Sequence, residues 1–477
     1  MAIGNVIKSI QDIMRQDAGV DGDAQRISQL VWMIFLKVYD AKEEEWEIRE
    51  DDYKSVISEE LRWRSWASND EGITGDDLLD FINNNLFKTL KEISIDENDD
   101  PKGAIVKAVF EDSYNYMKSG TLMRQVINKL NEIDFNSNED RHLFNDIYEN
   151  ILKDLQNAGN AGEYYTPRAV TQFMVDMINP KIGEVVLDPA CGTGGFLLCA
   201  LKCLRNQVTN IDDKKVLEDS ILGMEKKPLP HLLCTTNLIL NDIDVPQVKH
   251  DNSLSRNVRD YKQNEKVDII LTNPPFGGTE EDGIDVNFPK EFQTKETADL
   301  FFVLIMYRLK SQGRAAIVLP DGFLFGEGVK TKIKEKLFEE FNLHTIVRLP
   351  RGVFAPYTII NTNLLFFDKG EPTKEVWYFE HPLPEERNGK PYNKTNPIII
   401  NEFDIEKDWW FNRQETQLAW KVSIEDIKAN NYNLDIKNPN KEIMKKIKSP
   451  NELLKGIFDN QKVVNDMLQK MDKEINK

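Results

Sequence analysis

Six short apolar runs alternate with helical segments between about residues 163 and 370. Short apolar runs bounded by turn residues are typical of strands buried on both faces. Their alternation with helices predicts an α/β fold with a mainly parallel sheet covered on both sides. Ligands of such sheets bind at the carboxyl ends of the strands, so the residues that follow each run are candidates for a site. The predicted strands are 185–187, 221–224, 267–271, 315–319, 344–349 and 363–367.

The tetrapeptide Asn273-Pro274-Pro275-Phe276 directly follows the third run. It is therefore predicted where a strand ends and a loop begins. The Asn273 side-chain oxygen and the carbonyls of the turn can accept hydrogen bonds from one amino group, and Phe276 offers a flat face to a planar base. This combination suits the exocyclic amine of a nucleobase, whose lone pair must be drawn out of ring conjugation before it attacks.

A glycine-rich loop, residues 188–196, follows the first run and precedes a helical pattern. Strand, glycine loop and helix are the components of a nucleotide-type cofactor site. The loop is not a phosphate-binding loop, because no Gly-Lys-Ser/Thr follows and its acidic residue stands before the glycines. A carboxylate there suits a cationic ligand, and S-adenosylmethionine carries a sulfonium and an ammonium; a tight turn without a ligand is the alternative. The candidate residues are Asp188, Gly192, Thr193, Gly194 and Gly195.

Two acidic residues between this loop and Asn273 are further candidates. Glu225 ends the second run, where a carboxylate can accept both ribose hydroxyls of an adenosine; a simply exposed side chain is the alternative. Asp251 can take the adenine amino group of the same adenosine, and a turn-capping role is the alternative.

In this order the residues resemble the gamma-type amino-methyltransferases that act on adenine N6 in DNA. The segment Gly-Glu-Tyr-Tyr-Thr-Pro-Arg at 162–168 is similar to the cofactor-carboxylate motif of the modification (M) subunits of type I restriction-modification systems. Residues 313–322 and 349–354 resemble later motifs of the same family. The similarity is clearest from about 161 to 367, and Asn252 departs from it, since many relatives carry a small hydroxyl residue there.

The resemblance implies a Rossmann-like domain that transfers a methyl group from S-adenosylmethionine to adenine N6 at a specific DNA sequence. Asn273 and the carbonyl of Pro274 are implied to hold the amino hydrogens. Phe276 is implied to stack on the flipped adenine and Phe354 to take its other side. The catalytic residues implied are Asn273, Pro274, Pro275 and Phe276.

The cofactor is implied to lie against the glycine loop, Glu225 and Asp251. Tyr165 and Thr166 are implied to close over its methionine part. The other residues of that motif assigned to the cofactor are Glu163, Tyr164, Pro167 and Arg168.

The resemblance also implies partners. No other stretch looks like a target-recognition domain, so a specificity (S) subunit is implied to read the DNA. Two M subunits would join one S subunit, and a restriction (R) subunit would add for cleavage.

The chain is predicted to have three parts. Residues 1–155 are predicted to be a helical domain, residues 156–435 the methyltransferase domain, and residues 436–477 a helical tail. Residues 157–162 are small and polar and predict a linker. An apolar stripe over 453–475 needs a surface to pack on, and we favour a partner helix over the chain's own domain. One face of the first part repeats Ile27, Leu30, Val31, Ile34, Phe35 and Val38.

Three segments have a second interpretation. Trp63 and Trp66 are predicted to be core aromatics, with stacking on DNA as the alternative. The cluster 409–411, Trp-Trp-Phe, is predicted to pack in the interior. The polar segment 282–297 is predicted to be a mobile loop near the substrate or a disordered surface insertion.

The formal net charge of −19 opposes direct DNA binding, because DNA-binding proteins are usually basic. We therefore expect another subunit or a local basic cluster to face the DNA. Residues 437–477 hold ten Lys against six Asp or Glu, a net charge of +4.

The four cysteines form no Cys-x-x-Cys pair and indicate reduced, mostly buried residues without structural zinc. No apolar stretch is long enough to span a membrane and no signal peptide is recognised, so we expect a cytoplasmic protein.

Two other functions use the same motifs. Enzymes that methylate a protein glutamine amide also have an Asn-Pro-Pro-aromatic turn, but they are usually shorter, and the segment 163–168 favours DNA. A cofactor-binding scaffold that has lost its activity is the second alternative, and the intact residues 273–276 argue against it.

Overall fold

The first part of the chain is helical. The computed structural model describes residues 3–94, 101–137, 148, 165–384, 387, 389–440, 461, 465 and 467. A π-helical turn, Phe81–Leu86, joins the fourth and fifth helices. The helices are α1 (Ile3–Met14), α2 (Asp23–Arg49), α3 (Trp63–Trp66), α4 (Gly75–Asp80), α5 (Phe87–Glu92), α6 (Pro101–Glu111) and α7 (Gly120–Asn131).

The predicted apolar face of α2 is buried, and its residues form the centre of the N-terminal core. Trp63 and Trp66 are also buried there, which confirms that they are core aromatics. Their indole N–H groups donate to Asn131 Oδ1 at 2.9 Å and to the Leu61 carbonyl at 3.1 Å. The predicted linker 157–162 lies outside the described residues.

Strands and helices alternate after residue 165. The strands are β1 (Val186–Asp188), β2 (Ile221–Glu225), β3 (Gln247–His250), β4 (Val267–Thr272), β5 (Leu309–Pro320), β6 (Phe341–Leu349), β7 (Thr362–Lys369), β8 (Glu375–Glu380) and β9 (Ala419–Ser423). The helices are α8 (Arg168–Ile178), α9 (Gly195–Arg205), α10 (Ile211–Asp219), α11 (Pro228–Leu240), α12 (Thr297–Arg308), α13 (Asp321–Phe325), α14 (Val329–Glu340), α15 (Asp404–Trp410) and α16 (Ile424–Ala429).

The strands form one sheet in the order β3-β2-β1-β4-β5-β7-β6-β8-β9. The first five are mutually parallel, β7 runs antiparallel between β5 and β6, and β9 is antiparallel to β8. All six predicted strands are present, which confirms the mainly parallel sheet. The order reverses between β1 and β4, and in such sheets ligands bind outside the carboxyl ends at this reversal.

Both faces of the sheet are covered. Ile269 and Leu271 of β4 pack in a core with α8, α9 and α15, whereas Ile270 packs in a second core with α12 and α14. The N-terminal helices reach the sheet through α11, whose Leu233 is buried in their core. Lys42 of α2 donates to Asp242 Oδ1, just after α11, at 3.0 Å. The helical part is therefore packed directly on the sheet part.

Two sequence predictions need correction. Trp409 and Trp410 pack in the core as predicted, but Phe411 is 81% exposed, because α15 ends at Trp410. The polar segment 282–297 is not a disordered insertion: Phe288 and Phe292 are buried in the core that includes α12. The burial of these two aromatic side chains therefore holds the segment on the core despite its polar composition.

The tail from 441 onward lies outside the described residues except for three isolated positions, so its helical stripe stays a prediction. The division at 155 and 435 also stays a prediction. Over the ranges that the structure describes, no helix is long and apolar enough to cross a membrane.

Gly352 holds the turn after β6 in a conformation that other residues rarely adopt. Its φ is +84°, and a Cβ there would lie 2.0 Å from the Tyr392 carbonyl oxygen. We expect Gly352→Ala to lower the free energy of unfolding by at least roughly 1–3 kcal/mol through backbone strain. Denaturant unfolding measures the change. Gly322→Ala is the control, since a Cβ at Gly322 would meet no neighbouring atom within 4 Å. Equal stability of the two variants would contradict the strain assigned to position 352.

Candidate active site

A cavity of about 240 Å³ lies at the carboxyl ends of β1, β2 and β4. The loops after these strands form most of its lining, as expected at the point where the strand order reverses. Of the residues singled out in the sequence, it brings together Thr166, Asp188, Gly192, Thr193, Gly195, Glu225, Asp251, Asn273 and Pro275.

Asp188 ends β1 and is almost fully buried. Its Oδ1 accepts hydrogen bonds from Thr272 Oγ1 at 2.7 Å and from the Ala190 N–H at 3.1 Å. Burial raises the pKa of Asp188 to about 7, and the charge of Glu225 adds to the rise, whereas the two hydrogen bonds oppose it. A cation in the cavity would favour the ionised carboxylate.

Glu225 ends β2 and holds the glycine loop in place. Its Oε2 accepts from the Gly192 N–H at 2.9 Å and its Oε1 from the Lys227 N–H at 2.8 Å. Burial raises the pKa of Glu225, and these N–H groups oppose the rise. Because a carboxylate offers about four acceptor positions, both oxygens can still accept a ligand hydroxyl.

Asp251 lines the cavity from the side of β3. The side chain is exposed, and its Oδ1 accepts from the Asn252 N–H at 2.7 Å. Its own backbone N–H donates to the Glu225 carbonyl at 3.1 Å. It therefore caps a turn and faces the cavity at once.

Gly194 does not line the cavity, although it belongs to the glycine loop. Gly194 directly precedes α9 and has a φ of +83°. A Cβ on Gly194 would lie 2.7 Å from Cys234 Sγ of α11. The close packing of this loop on α11 therefore requires glycine at position 194. Cys191 Sγ lies 3.9 Å from Cys234 Sγ, and both thiols are free and buried.

Asn273 follows β4 and has one satisfied and one unsatisfied polar atom. Its Nδ2 donates to Thr166 Oγ1 at 3.0 Å. Its Oδ1 is buried, and no hydrogen-bond partner for it exists among the described residues. The side chain thus points an acceptor into the interior next to the cavity.

Of the motif at 162–168, the structure describes residues 165–168. Thr166 lines the cavity, and Pro167 precedes the first turn of α8. Tyr165 is buried, with the Arg168 guanidinium 5.4 Å from its ring centre. Glu163 and Tyr164 lie outside the described residues.

The aromatic residues lie beyond the turn. Phe276 is half-buried and meets Phe354 edge to face, with ring centres 6.1 Å apart and planes at 72°. Phe354 is buried in the core. Tyr357 is closer to parallel with Phe276, at 6.5 Å and 36°.

Several residues that line the cavity or support its lining have no signal in the sequence. The sequence indicates only that Thr272 belongs to a strand, yet its hydroxyl donates a hydrogen bond to Asp188. Ser253 Oγ donates to the Pro189 carbonyl at 2.6 Å, and Thr297 Oγ1 donates to Glu280 Oε1 at 2.9 Å. Within the described part of the chain, no group of three or more His, Cys, Asp or Glu could hold a metal ion.

Comparison with known proteins identifies the family. Residues 139–447 match the N-6 DNA Methylase family, and residues 3–130 match the HsdM N-terminal domain. The type I restriction enzyme EcoEI methylase subunit of Escherichia coli is 62% identical over 448 residues, covering 92% of this chain and 91% of that protein. The EcoKI methylase subunit of Escherichia coli is 29% identical over 73% of this chain and 72% of that protein.

Solved structures of type I restriction-modification proteins have the same fold as this chain. A modification subunit of a putative type I restriction enzyme from Vibrio vulnificus YJ016 is 44% identical, with a TM-score of 0.82 over 92% of this chain and 97% of that one. A chain from a study of complex assembly in the type I restriction-modification system is 35% identical, with a TM-score of 0.83 over 100% and 98%. These matches confirm the fold and the adenine-specific methyltransferase activity predicted from the motifs. The chain belongs to the N-6 DNA methylase family, as a modification subunit of the type I restriction-modification kind.

Proposed function

We propose that the cavity binds S-adenosylmethionine and that Asn273 holds the amino group of a flipped adenine in DNA for methylation at N6. The observation that carries the proposal is the buried Asn273 Oδ1, which has no partner among the described residues. Buried acceptors are normally paired, so an amino group brought by a substrate satisfies this one. The acceptor stands beside a cavity that also contains two carboxylates.

The lining fits a cationic cofactor with an adenosine part. Asp188 supplies a buried carboxylate for its positive charge, and Glu225 keeps free acceptor positions for ribose hydroxyls. Asp251 accepts from the adenine amino group. When bound, the cofactor supplies a methyl group on a positively charged sulfur. We assign to the same site Gly192, Thr193, Gly194, Gly195, Glu163, Tyr164, Tyr165, Thr166, Pro167 and Arg168, as their motifs imply.

Asn273 and the Pro274 carbonyl would accept the two amino hydrogens of the target adenine. This draws the nitrogen lone pair out of the ring and points it at the methyl group. Most of the rate would come from this alignment, because a held near-attack geometry removes much of the entropic barrier. No strong base is needed, since the nitrogen becomes acidic once it is methylated.

Phe276 would stack on the base, which must leave the duplex because N6 is inaccessible within a stacked helix. The turn places this ring three residues from Asn273, so the face and the amino group of one base can be held together. Pro275 completes the turn and lines the cavity.

We further propose that two copies of this chain assemble in the cytoplasm with a specificity (S) subunit, and that a restriction (R) subunit joins for cleavage. The net charge of −19 supports this, because affinity for duplex DNA depends on neutralising phosphates. The helical domain would comprise residues 1–155, the catalytic domain residues 156–435, and the docking tail residues 436–477.

Asn273→Ala should reduce methyl transfer on the order of 100-fold or more, because it removes a hydrogen bond aligned with the reacting amine. Cofactor affinity should stay within about two-fold. The measurement is transfer of a labelled methyl group to DNA and, separately, to protein, by the complex with the S subunit. Asn264→Ala, at an exposed position, is the control. Normal turnover in the Asn273 variant would defeat the proposal, and label on protein alone would favour the glutamine-amide alternative.

Asp188→Asn should change how stability depends on pH. Because burial raises the folded-state pKa of Asp188 to about 7 from 3.8, the native protein binds more protons than the unfolded chain between these values. The free energy of unfolding therefore falls as pH rises through this window. The variant keeps a hydrogen-bond acceptor for Thr272, but its side chain does not titrate. Its free energy of unfolding should therefore not decrease with pH in this window. The difference from wild type should reach roughly 1–4 kcal/mol at pH 8, since one pKa unit is about 1.4 kcal/mol. Denaturant unfolding at pH 5 and pH 8 measures it.

The same variant should weaken S-adenosylmethionine binding by about ten-fold or more at pH 7.5, where the wild-type carboxyl group is mostly ionised in the presence of a cation. Calorimetric titration at pH 5.5 and 7.5 should show wild-type affinity rising with pH. Asp212→Asn, at an exposed carboxylate, is the control. An affinity that neither pH nor the substitution changes would remove Asp188 from the cofactor site.

Deletion of residues 451–477 should weaken association with the S subunit without unfolding the rest of the chain. The isolated full-length chain should bind cofactor but barely methylate DNA, and addition of the S subunit should restore site-specific methylation. Co-purification and methylation assays test both statements, with circular dichroism as the folding control. Strong site-specific methylation by the isolated chain would contradict the partner proposal, and an intact complex after truncation would contradict the role of the tail.

A further inference from the structure

A cavity of about 720 Å³ lies at the carboxyl ends of β6 and β8. Arg348 of β6 and Glu380, the last residue of β8, both line it and are partners in the register of these strands. Because β7 is antiparallel to both β5 and β6, β6 and β8 run in the same direction as β1, β2 and β4. The cavity therefore lies at the same edge of the sheet as the candidate active site.

The lining of this cavity is basic, whereas that of the active-site cavity is acidic. Arg348, Arg351 and Lys437 line the cavity beside β6 against one acidic residue, Glu380. The charge along this edge of the sheet therefore changes sign between β4 and β6. We refer to the positive cavity as the basic cleft. The charged residues that line the active-site cavity are Asp188, Glu225, Asp251, Glu280, Lys226 and Lys227.

The three cations of the basic cleft differ in what they already bind. The Arg348 guanidinium donates to Asp435 Oδ1 at 2.5 Å and to the Ile436 carbonyl at 3.1 Å. It thereby fixes the segment that leads to Lys437 against the end of β6. Arg351 and Lys437 are exposed, and neither has a hydrogen-bond or ion-pair partner among the described residues. These two side chains can therefore meet a ligand.

The histidine of the cleft wall is already occupied. His381 is buried, its Nδ1 lies 2.6 Å from Glu406 Oε1, and its Nε2 lies 3.1 Å from the Tyr392 hydroxyl. Its backbone N–H donates to the Arg348 carbonyl at 3.0 Å. Trp420 lines the cleft as well and is 1% exposed. These residues form a rigid wall, and the cations that face the open side are Arg351 and Lys437.

The distance between the basic cleft and β4 suits a DNA duplex bound at both places. In the strand order, β6 is three strands from β4, and β8 is four strands from it. Neighbouring strands are about 4.8 Å apart, so the cleft lies roughly 14–19 Å from the end of β4. Successive nucleotides of a duplex strand rise about 3.4 Å, so this distance corresponds to about four to six nucleotides.

We propose that the basic cleft holds one or two backbone phosphates of the substrate DNA about four to six nucleotides from the target adenine, with Arg351 and Lys437 as positioning residues. Guanidinium and ammonium groups both form charge-assisted hydrogen bonds with phosphate oxygens. Arg351 lies in the same turn as Phe354, whose ring centre is 6.1 Å from that of Phe276. A phosphate held in the cleft is therefore fixed relative to the Asn273–Phe276 turn.

The inference rests on the proposed function, and it adds one backbone contact made by this chain to those expected of the S subunit. Charge favours DNA over the chain's own tail as the ligand. Residues 437–477 have a net charge of +4, so like charge opposes binding of the tail in a basic cleft. A duplex instead presents a phosphate at every nucleotide, and its contacts with Lys and Arg supply most of the sequence-independent affinity.

The test uses the complex of the full chain with its S subunit on a duplex that contains the target site, after that site has been found by methylation-aware sequencing. Arg351→Gln combined with Lys437→Gln should raise KM for DNA by about 5- to 30-fold at about 0.15 M salt, because each lost phosphate contact costs about 5-fold there. The kcat should stay within about two-fold, since neither residue touches the reacting atoms. The slope of log affinity against log salt should become shallower by about one to two.

Two further variants separate a phosphate contact from a structural role. Arg351→Lys keeps the charge and should retain the wild-type salt slope, whereas Arg351→Gln alone should make it shallower by about one. Lys428→Gln is the control, because Lys428 is an exposed lysine of α16. That helix follows β9, which is antiparallel to β8 and ends at the opposite edge of the sheet. Circular dichroism and co-purification with the S subunit check the fold and the assembly of every variant.

A scan of the DNA backbone identifies the phosphate. Single phosphates on either side of the target are replaced by uncharged methylphosphonates, and the affinity of the complex is measured for each duplex. Wild-type affinity should fall at one or two positions about four to six nucleotides from the target adenine. The same replacements should not weaken the double variant further, because they remove a contact that the variant has already lost.

The outcomes separate this inference from the proposed function. DNA affinity and its salt slope are measured without methylation, so a wild-type complex that binds DNA but does not methylate it defeats the proposed function alone. An unchanged KM and salt slope in the double variant overturns the assignment of the cleft. Equal losses of wild type and double variant at every methylphosphonate position also overturn it, and would be expected if a free phosphate or nucleotide bound there. Loss of the S subunit from the double variant would assign the cleft to protein docking and overturn the inference as well.

Discussion

The hydrogen bond between Thr272 Oγ1 and Asp188 Oδ1 connects the two halves of the candidate active site. It joins the carboxyl ends of β1 and β4, the neighbouring strands between which the chain order of the sheet reverses. Asp188 begins the glycine loop on one side, and Thr272 directly precedes Asn273 on the other. The bond is 2.7 Å long and buried, so displacement of either loop would leave a polar group unpaired in the interior. The position of the Asn273–Phe276 turn therefore depends on the position of the glycine loop.

The sequence predicted the strands well, because burial on both faces leaves short apolar runs that polar segments interrupt. It did not predict β3, whose residues Gln247–His250 are exposed or half-buried at the edge of the sheet and so carry no apolar run. Motif residues that directly follow buried strands, such as Asp188 and Asn273, could be placed from sequence, since parallel strands bring their carboxyl ends together. Thr297 and Glu280 could not be placed, because their approach depends on how the segment 279–297 packs around Phe288 and Phe292.

The same limit applies to the roles of individual residues. A glycine in a cofactor loop suggests room for a ligand, yet Gly194 is constrained by Cys234 of α11. An aromatic residue in a late motif suggests a stacking surface, yet Phe354 is buried and meets the half-buried Phe276 edge to face. Sequence spacing fixes which residues are near one another, whereas the direction of each side chain follows from packing. The geometry is therefore needed to decide which residue of a motif touches a ligand.

The Asn273–Phe276 turn has different surroundings at its two ends. Two prolines fix the backbone φ, so the side chains at either end keep their directions. Asn273 lines the cavity and donates to Thr166, whereas Phe276 lies outside the cavity lining and meets Phe354 edge to face. Because affinity for duplex DNA depends on neutralising phosphates, the net charge of −19 supports the proposal that a partner subunit holds the DNA backbone.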